Sequence, residues 1–452
     1  MLKEIFRPEI IELIEEKQWR MLKEVISDWP PQDIASLIIS LDEKEAFIIF
    51  RLLPKTTASE VFSELDSEKH ESILSQLTNA QIKEIFLELS PDDRTELFEE
   101  LPPEVTQKII NLLPPEDRKE ALQLLGYPED SVGRLMTPDY VSLKPGMTIE
   151  EAIKHIREKG IDAETINMVY IIDDKNKLID DIPIRRLILS NPKNSIESIM
   201  DGKFISINVN EDQENAVKIM KRYRLNVLPV VDADGILLGI VTIDDMVEIM
   251  EEEDTEDFTK VSAISSENVG IEFITDLLKS PISKLYRSRV FWLVALLIMD
   301  LVTGGIIQSF EILIGKYVVL VSFLPVLVDT AGNAGSQSAT LTIRALALGT
   351  VNPKDWIRLF LKEIFVSSLL GITMSVGISF MGFLRGGANV VKVVVTTMFV
   401  NVVIGSLIGI ILPFIFVGLK KDPATASTPL ITTLADIIGT GIYLTIAYFM
   451  LG

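Results

Sequence analysis

Two runs of residues, Ile364 to Leu384 and Val393 to Leu419, carry no charged side chain over 21 and 27 positions. A bilayer core asks for about 20 apolar residues per helix. Three further stretches have the same character. Val290 to Phe310 is uncharged apart from Asp300, Tyr317 to Leu348 is interrupted only by Asp329 and Arg344, and Thr425 to Gly452 only by Asp436. Five membrane-spanning helices are therefore expected within residues 287–452. Helices buried in a large soluble core are the other way to hide apolar residues, but they do not need uncharged runs this long.

The rest of the chain has the opposite character. Residues 1–286 hold 58 Asp and Glu against 32 Lys and Arg, whereas residues 287–452 hold 7 against 11. Nucleic acid is an unsuitable partner for so acidic a portion, because strands are held by Lys and Arg that replace phosphate counterions. Cationic partners are favoured. With no cysteine and only His70 and His155, disulfides, thiolate nucleophiles, Cys-ligated zinc or iron-sulfur sites and most Ser-His triads are excluded. A bound metal is expected to be held by oxygen. If the acidic portion is cytosolic, Arg287, Arg289, Arg344, Lys354, Arg358, Lys362, Lys420 and Lys421 fall inside and Lys316, Arg385 and Lys392 outside. That balance predicts a cytoplasmic N-terminus and an outside C-terminus. Glu and Lys interrupt the first apolar residues every few positions, so no signal peptide is expected.

Eight consecutive twelve-residue frames start at Trp29, Leu41, Leu53, Leu65, Leu77, Leu89, Leu101 and Leu113. Positions 9 and 10 of each frame are apolar, as in Ile49-Phe50, Val61-Phe62, Ile85-Phe86 and Leu97-Phe98. Pro or Ser stands at the expected helix start, with acids in the first turn of frames such as LSPDDRTELFEE. Each frame reads as one short helix and a turn, stacked into a solenoid. Glu60, Glu84, Glu96 and Glu120 share position 8, a partial acidic row on the polar face; solvated surface is the plain reading of such a row.

From Gly133 the pattern changes to strand and helix. The segment from Tyr170 to Ile184 aligns without gaps, 59 residues on, with Pro229 to Ile243, each reading as strand, polar turn, strand and then helix. This resembles a tandem pair of CBS domains. Such pairs bind adenine nucleotides such as ATP, and the resemblance puts the ribose on Thr242 and Asp244 in the second copy, while Pro183 and Arg185 occupy the equivalents in the first. Between Asp244 and Asp257 follow nine carboxylates and no basic residue. If the second copy's last helix continues through them, Asp245, Glu248 and Glu252 share a face on which like charges destabilise. A disordered acidic linker is one reading, and a cluster neutralised by Mg²⁺ or Ca²⁺ together with the solenoid's acids is another. Ile271 to Arg289 then alternates apolar and polar groups at helical spacing, a helix leading into the first span.

In the second stretch, Gly332-Asn-Ala-Gly-Ser-Gln337 reads as a polar, small-residue break at membrane depth, which must line a cavity or be buried in protein. The last stretch contains Pro429-Leu-Ile-Thr-Thr-Leu-Ala-Asp436. Counted from Thr425, Asp436 lies about 16 Å along a helix, mid-membrane. An intramembrane Asp is a functional candidate by default, against the reading of a structural hydrogen-bonding group.

In this order of parts, with GNAGSQ and PLITTLAD, the chain resembles the MgtE family of magnesium transporters and channels over essentially its whole length. The resemblance implies a multi-domain fold: an all-α superhelical N-terminal domain (1–132), α/β CBS domains (133–200 and, with the acidic hinge, 201–257), a linking plug helix (258–286) and a five-helix transmembrane domain (287–452). It implies a homodimer in the plasma membrane with a Mg²⁺ pore between subunits, selective through Asp436, with Asn333, Thr432 and Thr433 beside the path. Regulatory Mg²⁺ would be held by Glu60, Asp92 and Glu96 of the solenoid, the backbone of Gly133, and Glu214, Asp245, Glu248, Glu253, Glu256 and Asp257. Two departures from the family's pattern are Arg224, where an acidic ligand is expected, and Glu96 in place of Asp. A membrane-anchored metal or nucleotide sensor that conducts nothing and acts on a partner is the alternative. An enzyme is not expected: no G-x-x-x-x-G-K-[ST] loop is present, and neither Asp300 nor Asp436 follows a glycine.

Overall fold

The structure, a computed structural model, describes residues 2–264 and 280–452. The chain divides into two compact units, Met1–Met250 and Glu251–Gly452.

In the first unit, α1 (Leu2–Glu15) and α2 (Trp19–Ile26) precede eight helices at the predicted spacing: α3 Pro31–Ser40, α4 Glu43–Leu52, α5 Lys55–Ser63, α6 Ser67–Gln76, α7 Asn79–Glu88, α8 Pro91–Glu100, α9 Pro103–Leu112 and α10 Pro115–Leu124. Their starts are set by local chemistry. Pro is the first helical residue of α3, α8, α9 and α10, where a missing N–H costs nothing; Asp42 and Asp66 cap α4 and α6 by accepting the amides of Glu45 and Lys69. Positions 9 and 10 of the frames form the core, with Ile49, Val61, Phe62 and Phe86 fully buried. Leu122, the last of the series, is exposed because no further frame covers it. The acidic row is partly neutralised: Glu84 pairs with Lys55 and Glu120 with Arg94, each at 2.6 Å.

After α11 (Val132–Leu135) come two similar halves. In the first, β1 (Ser142–Leu143), α12 (Ile149–Lys159), β2 (Met168–Ile172), β3 (Leu178–Pro183) and α13 (Ile184–Ile188) form a three-stranded sheet of order β1-β2-β3. The second has β4 (Ile207–Asn208), α14 (Gln213–Tyr223), β5 (Val227–Val231), β6 (Leu237–Thr242) and α15 (Ile243–Val261), with order β4-β5-β6. In each, the first pairing is parallel and the second antiparallel. The halves join turn to turn, where Leu178 donates to Gly235 O and Leu237 to Asn176 O, over a shared core of Tyr170, Leu178, Leu237 and Ile240. The chain thus contains an all-α N-terminal domain and tandem CBS domains.

The acidic stretch is helical, since α15 runs on through it to Val261. Of the expected linking helix, residues 265–279 lie outside the described residues; from Ile282 a helix leads without interruption into the first span, Ile282–Ser309. Among the described residues, four helices are long and apolar enough to cross a membrane. One of them, Trp356–Gly418, is broken at Gly387 (φ 70°, ψ −176°), a region of backbone space open to glycine alone. It therefore supplies the third and fourth spans. The second is Leu324–Ala347 and the fifth Thr428–Leu451.

Two expectations are corrected here. Gly332 to Gln337 is not a break, because Leu324–Ala347 is helical throughout; the irregular backbone precedes it, in the 3-10 turn Val318–Ser322. The small residues serve close packing instead. A Cβ on Gly335 would lie 2.7 Å from Gly405 O, and Cβ atoms on Gly405 and Gly409 would collide with the carbonyl oxygens of Ala331 and Gly335. The second and fourth spans thus touch backbone to backbone, as small residues allow in membranes. Secondly, the fifth helix starts at Thr428 after a 3-10 turn at Pro423–Thr425, so Asp436 lies only about 12 Å along it.

Gly405→Val should force these two spans apart, lowering stability by about 1–3 kcal/mol or more and hence the melting temperature in detergent. Gly377→Ala, in open space, should leave it unchanged. Equal melting of both variants would show that the backbone contact is not made.

Candidate metal sites and ion path

Carboxylates crowd where α8 meets the CBS halves. Pro91 starts α8, and this puts Asp92 and Asp93 in its first turn. Asp92 is only 8% exposed, and its Oδ1 has no hydrogen-bond partner. Burial and the charge of Asp245 hold its carboxyl well above the usual range. Asp245, in the first turn of α15, accepts the hydroxyl of Thr242 at 2.8 Å, yet burial, and then the charges of Asp244 and Asp93, push it up to about 7. Asp93 is raised by burial and by Glu64 and Asp244. A fifth carboxylate, Glu164, in the loop between α12 and β2, feels Asp244 and Asp93. An orphaned, buried carboxylate oxygen among like charges is what a hard cation would neutralise.

The structure thus brings Asp92, Asp244 and Asp245 together. Glu96 follows Asp92 by one turn on α8, and Glu60 is exposed on α5. The amide of Gly133 donates to Val209 O at 2.9 Å, and a Cβ there would sit 2.6 Å from Tyr127 Cγ, so the backbone is held close. Glu214 is committed to Lys218, one turn on in α14, at 2.6 Å. Arg224 ends that helix in the left-handed conformation, φ 56°. Glu248 and Glu253 lie on α15, as do Asp257 and Glu256, the last paired with Lys260 at 2.7 Å. Among the described residues no three of His, Asp and Glu are placed to hold a metal ion as they stand. For a nucleotide, Asp244 is exposed, while the Thr242 hydroxyl is engaged by Asp245.

In the membrane unit the side chain of Asp436 carries a buried Oδ1 without a hydrogen-bond partner. The charges acting on it belong to Asp300 in the first span and Asp329 in the second. Asn333 donates to Asp329 Oδ2 at 3.0 Å, one turn back on its own helix. Thr432 donates to Thr428 O, lies 3.3 Å from Ser336 Oγ and packs its methyl on Gly332, whereas Thr433 is buried. Behind them Asn401, buried in the fourth span, donates to Leu327 O and Gly439 O, both at 3.3 Å, tying the second and fifth spans. Sequence reasoning singled out Asp436 alone, although Asp300 and Asp329 carried the same signal of an acid within an apolar run. Glu164 had none, being one loop carboxylate among many.

Comparison with known proteins follows the same division. Residues 324–446 match the MgtE family, described as a divalent cation transporter; residues 29–130 match the MgtE intracellular N domain, and 132–189 and 196–252 each match a CBS domain. Magnesium transporter MgtE of Thermus thermophilus is 38% identical over 446 residues, 97% of each chain. Magnesium transporter MgtE of Bacillus subtilis is 36% identical over 330 residues, 73% of this chain and 71% of that one. A solved cytosolic domain of the Mg²⁺ channel MgtE in complex with ATP is 37% identical, with a TM-score of 0.51, covering 53% of this chain and 98% of that one.

The raised carboxyls give a pH dependence of definite sign. Asp92 and Asp245 bind protons more tightly folded than unfolded, so their contribution to stability is complete below about pH 4, the unfolded value, and is lost as pH rises above it, for Asp245 through about 7. In chelator, protease cleavage between the solenoid and the CBS halves should therefore increase from pH 5 to pH 8. Saturating Mg²⁺ should flatten the profile, and so should Asp92→Asn with Asp245→Asn. A flat profile in chelator for the unaltered chain would contradict the assignment.

Proposed function

Since the chain belongs to the MgtE family of magnesium transporters, we propose that it is a Mg²⁺-selective channel or transporter of the plasma membrane, closed by Mg²⁺ bound to its acidic cytosolic domains. The observation that carries the pore reading is the side chain of Asp436, with an unpartnered buried oxygen, under the charges of two more carboxylates on separate spans. The fifth span has no Lys or Arg to neutralise it. A carboxylate at such depth calls for a cation. Mg²⁺ dehydrates reluctantly, so the ion would be read through its water shell, with Asn333, Thr432 and Thr433 beside it. A homodimer would bring two copies of Asp436 together, a doubly negative site that a divalent ion balances better than a monovalent one.

In this reading the N-terminus is cytoplasmic, the C-terminus is outside, and the domains divide at residues 132, 200, 257 and 286. At low Mg²⁺ the carboxylates around Asp92 and Asp245 repel; bound ions draw them together. Glu60, Glu96, Gly133, Glu214, Glu248, Glu253, Glu256 and Asp257 belong to the same regulatory set. Several ions, each favouring the compact form by ~1–2 kcal/mol, would shift a two-state gate nearly completely. ATP is a second regulatory ligand, taken at Thr242 and Asp244. The chain is a transporter and not an enzyme.

Mg²⁺ uptake into proteoliposomes tests the proposal against the non-conducting sensor. The unaltered chain should admit Mg²⁺. Asp436→Asn keeps size and removes charge; losing ~1.4 kcal/mol of stabilisation slows passage about tenfold, and at least that loss is expected, with Mg²⁺-dependent protease protection of the cytosolic domains unchanged. Wild-type flux in Asp436→Asn would show that the carboxylate is structural.

A further inference from the structure

No basic residue occurs between Arg224 and Lys260, so Lys260, in the last turn of α15, is the first cation after the acidic stretch. Its Nζ lies 2.7 Å from Glu256 Oε1, one turn back, and 2.7 Å from Asp422 Oδ2, 162 residues further along the chain. The other oxygen of Asp422 accepts the amide of Ala424 at 2.7 Å and so caps the turn from which the fifth span starts. An apolar seat lies beside the charges: Ala424 and Ala426 are fully buried in a cluster with Ile343 and Ile431, and Val261 packs against it. A second, more exposed pair ties α15 to another membrane helix, Asp254 with Arg344 in the last turn of the second span at 3.4 Å.

The Lys260 ammonium and the Asp422 carboxylate are 29% and 32% exposed, so water and salt screen them less than an open surface pair. The one ammonium is shared between two carboxylates, Asp422 and Glu256. Remove it, and Glu256 and Asp422 face one another as bare like charges beside the apolar seat. That would lift the end of α15 off the start of the fifth span.

We propose that Lys260 is a positioning residue that couples α15 to the pore helix: by gripping Asp422 it passes movements of the acidic helix to the segment that carries Asp436. The inference rests on the reading of the chain as a Mg²⁺-regulated transporter. Lys260 touches no transported ion and is always present, unlike the bound Mg²⁺ it works with. Loss of its charge weakens the response to regulatory Mg²⁺ and leaves conduction itself intact.

The test uses the full chain in proteoliposomes, with free Mg²⁺ varied on the side of the cytosolic domains. Lys260→Met and Asp422→Asn should each raise the Mg²⁺ concentration for half-inhibition on the order of tenfold, with wild-type flux at low Mg²⁺. Their combination should do no more than either alone, because both break one contact. Lys260→Arg should behave as wild type, and the exchange of Lys260→Asp with Asp422→Lys should recover much of the inhibition lost in Lys260→Asp. Unchanged half-inhibition in Lys260→Met, additive effects, or an exchange no better than Lys260→Asp would overturn the coupling role. Absence of flux in the wild-type chain would instead overturn the transport reading and the inference with it.

Discussion

Asp92 is buried on the solenoid, and Asp245 stands near it at the start of a CBS helix. Among the described residues neither carboxylate is paired with a cation, and burial denies both the water that would normally spread their charge. The rest of the cytosolic unit is arranged around that tension. Capped twelve-residue helices set α8 in place, and the paired turns of the CBS halves fix the start of α15, so the acids cannot drift apart without disturbing both domains. Elsewhere the solenoid uses Arg and Lys to quieten its acids, as Arg94 does for Glu120 and Lys55 for Glu84. At Asp92 and Asp245 it does not.

In the membrane unit the constraint is different, because lipid offers no hydrophobic drive between helices. Glycines at 335, 405 and 409 let two backbones meet, and Asn401 bonds to carbonyl oxygens on both neighbouring helices. This holds the second, fourth and fifth spans in register while Asp436 and Asp329 remain polar within an apolar bundle. Tight packing and retained acids belong together: a loose bundle would let either carboxylate find another partner.

Much of the fold was legible because it repeats. The frames beginning at Trp29 and every twelfth residue after it became eight helices whose first residues are also twelve apart, and the offset of 59 between the CBS copies relates Leu178 to Leu237 in matching strands. What could not be read was tertiary. Glycines in Gly332 to Gln337 signal either a bend or a close approach, and the choice depended on Gly405 and Gly409, about seventy residues away. The partner of Lys260 is Asp422, and no local pattern links them. Glu164 gains its place only because a loop folds beside Asp93 and Asp244. The candidate site was therefore visible as residue types, while its neighbours became visible only in space.

Gly387 joins the third and fourth spans with one residue in a conformation other amino acids avoid, and no loop separates them. The two helices consequently have no slack. They would have to enter the bilayer as a hairpin in one step, since neither can cross while the other waits in water. An epitope or fluorescent domain spliced into this turn would pull on both helices at once, whereas the same cargo at either chain end would not.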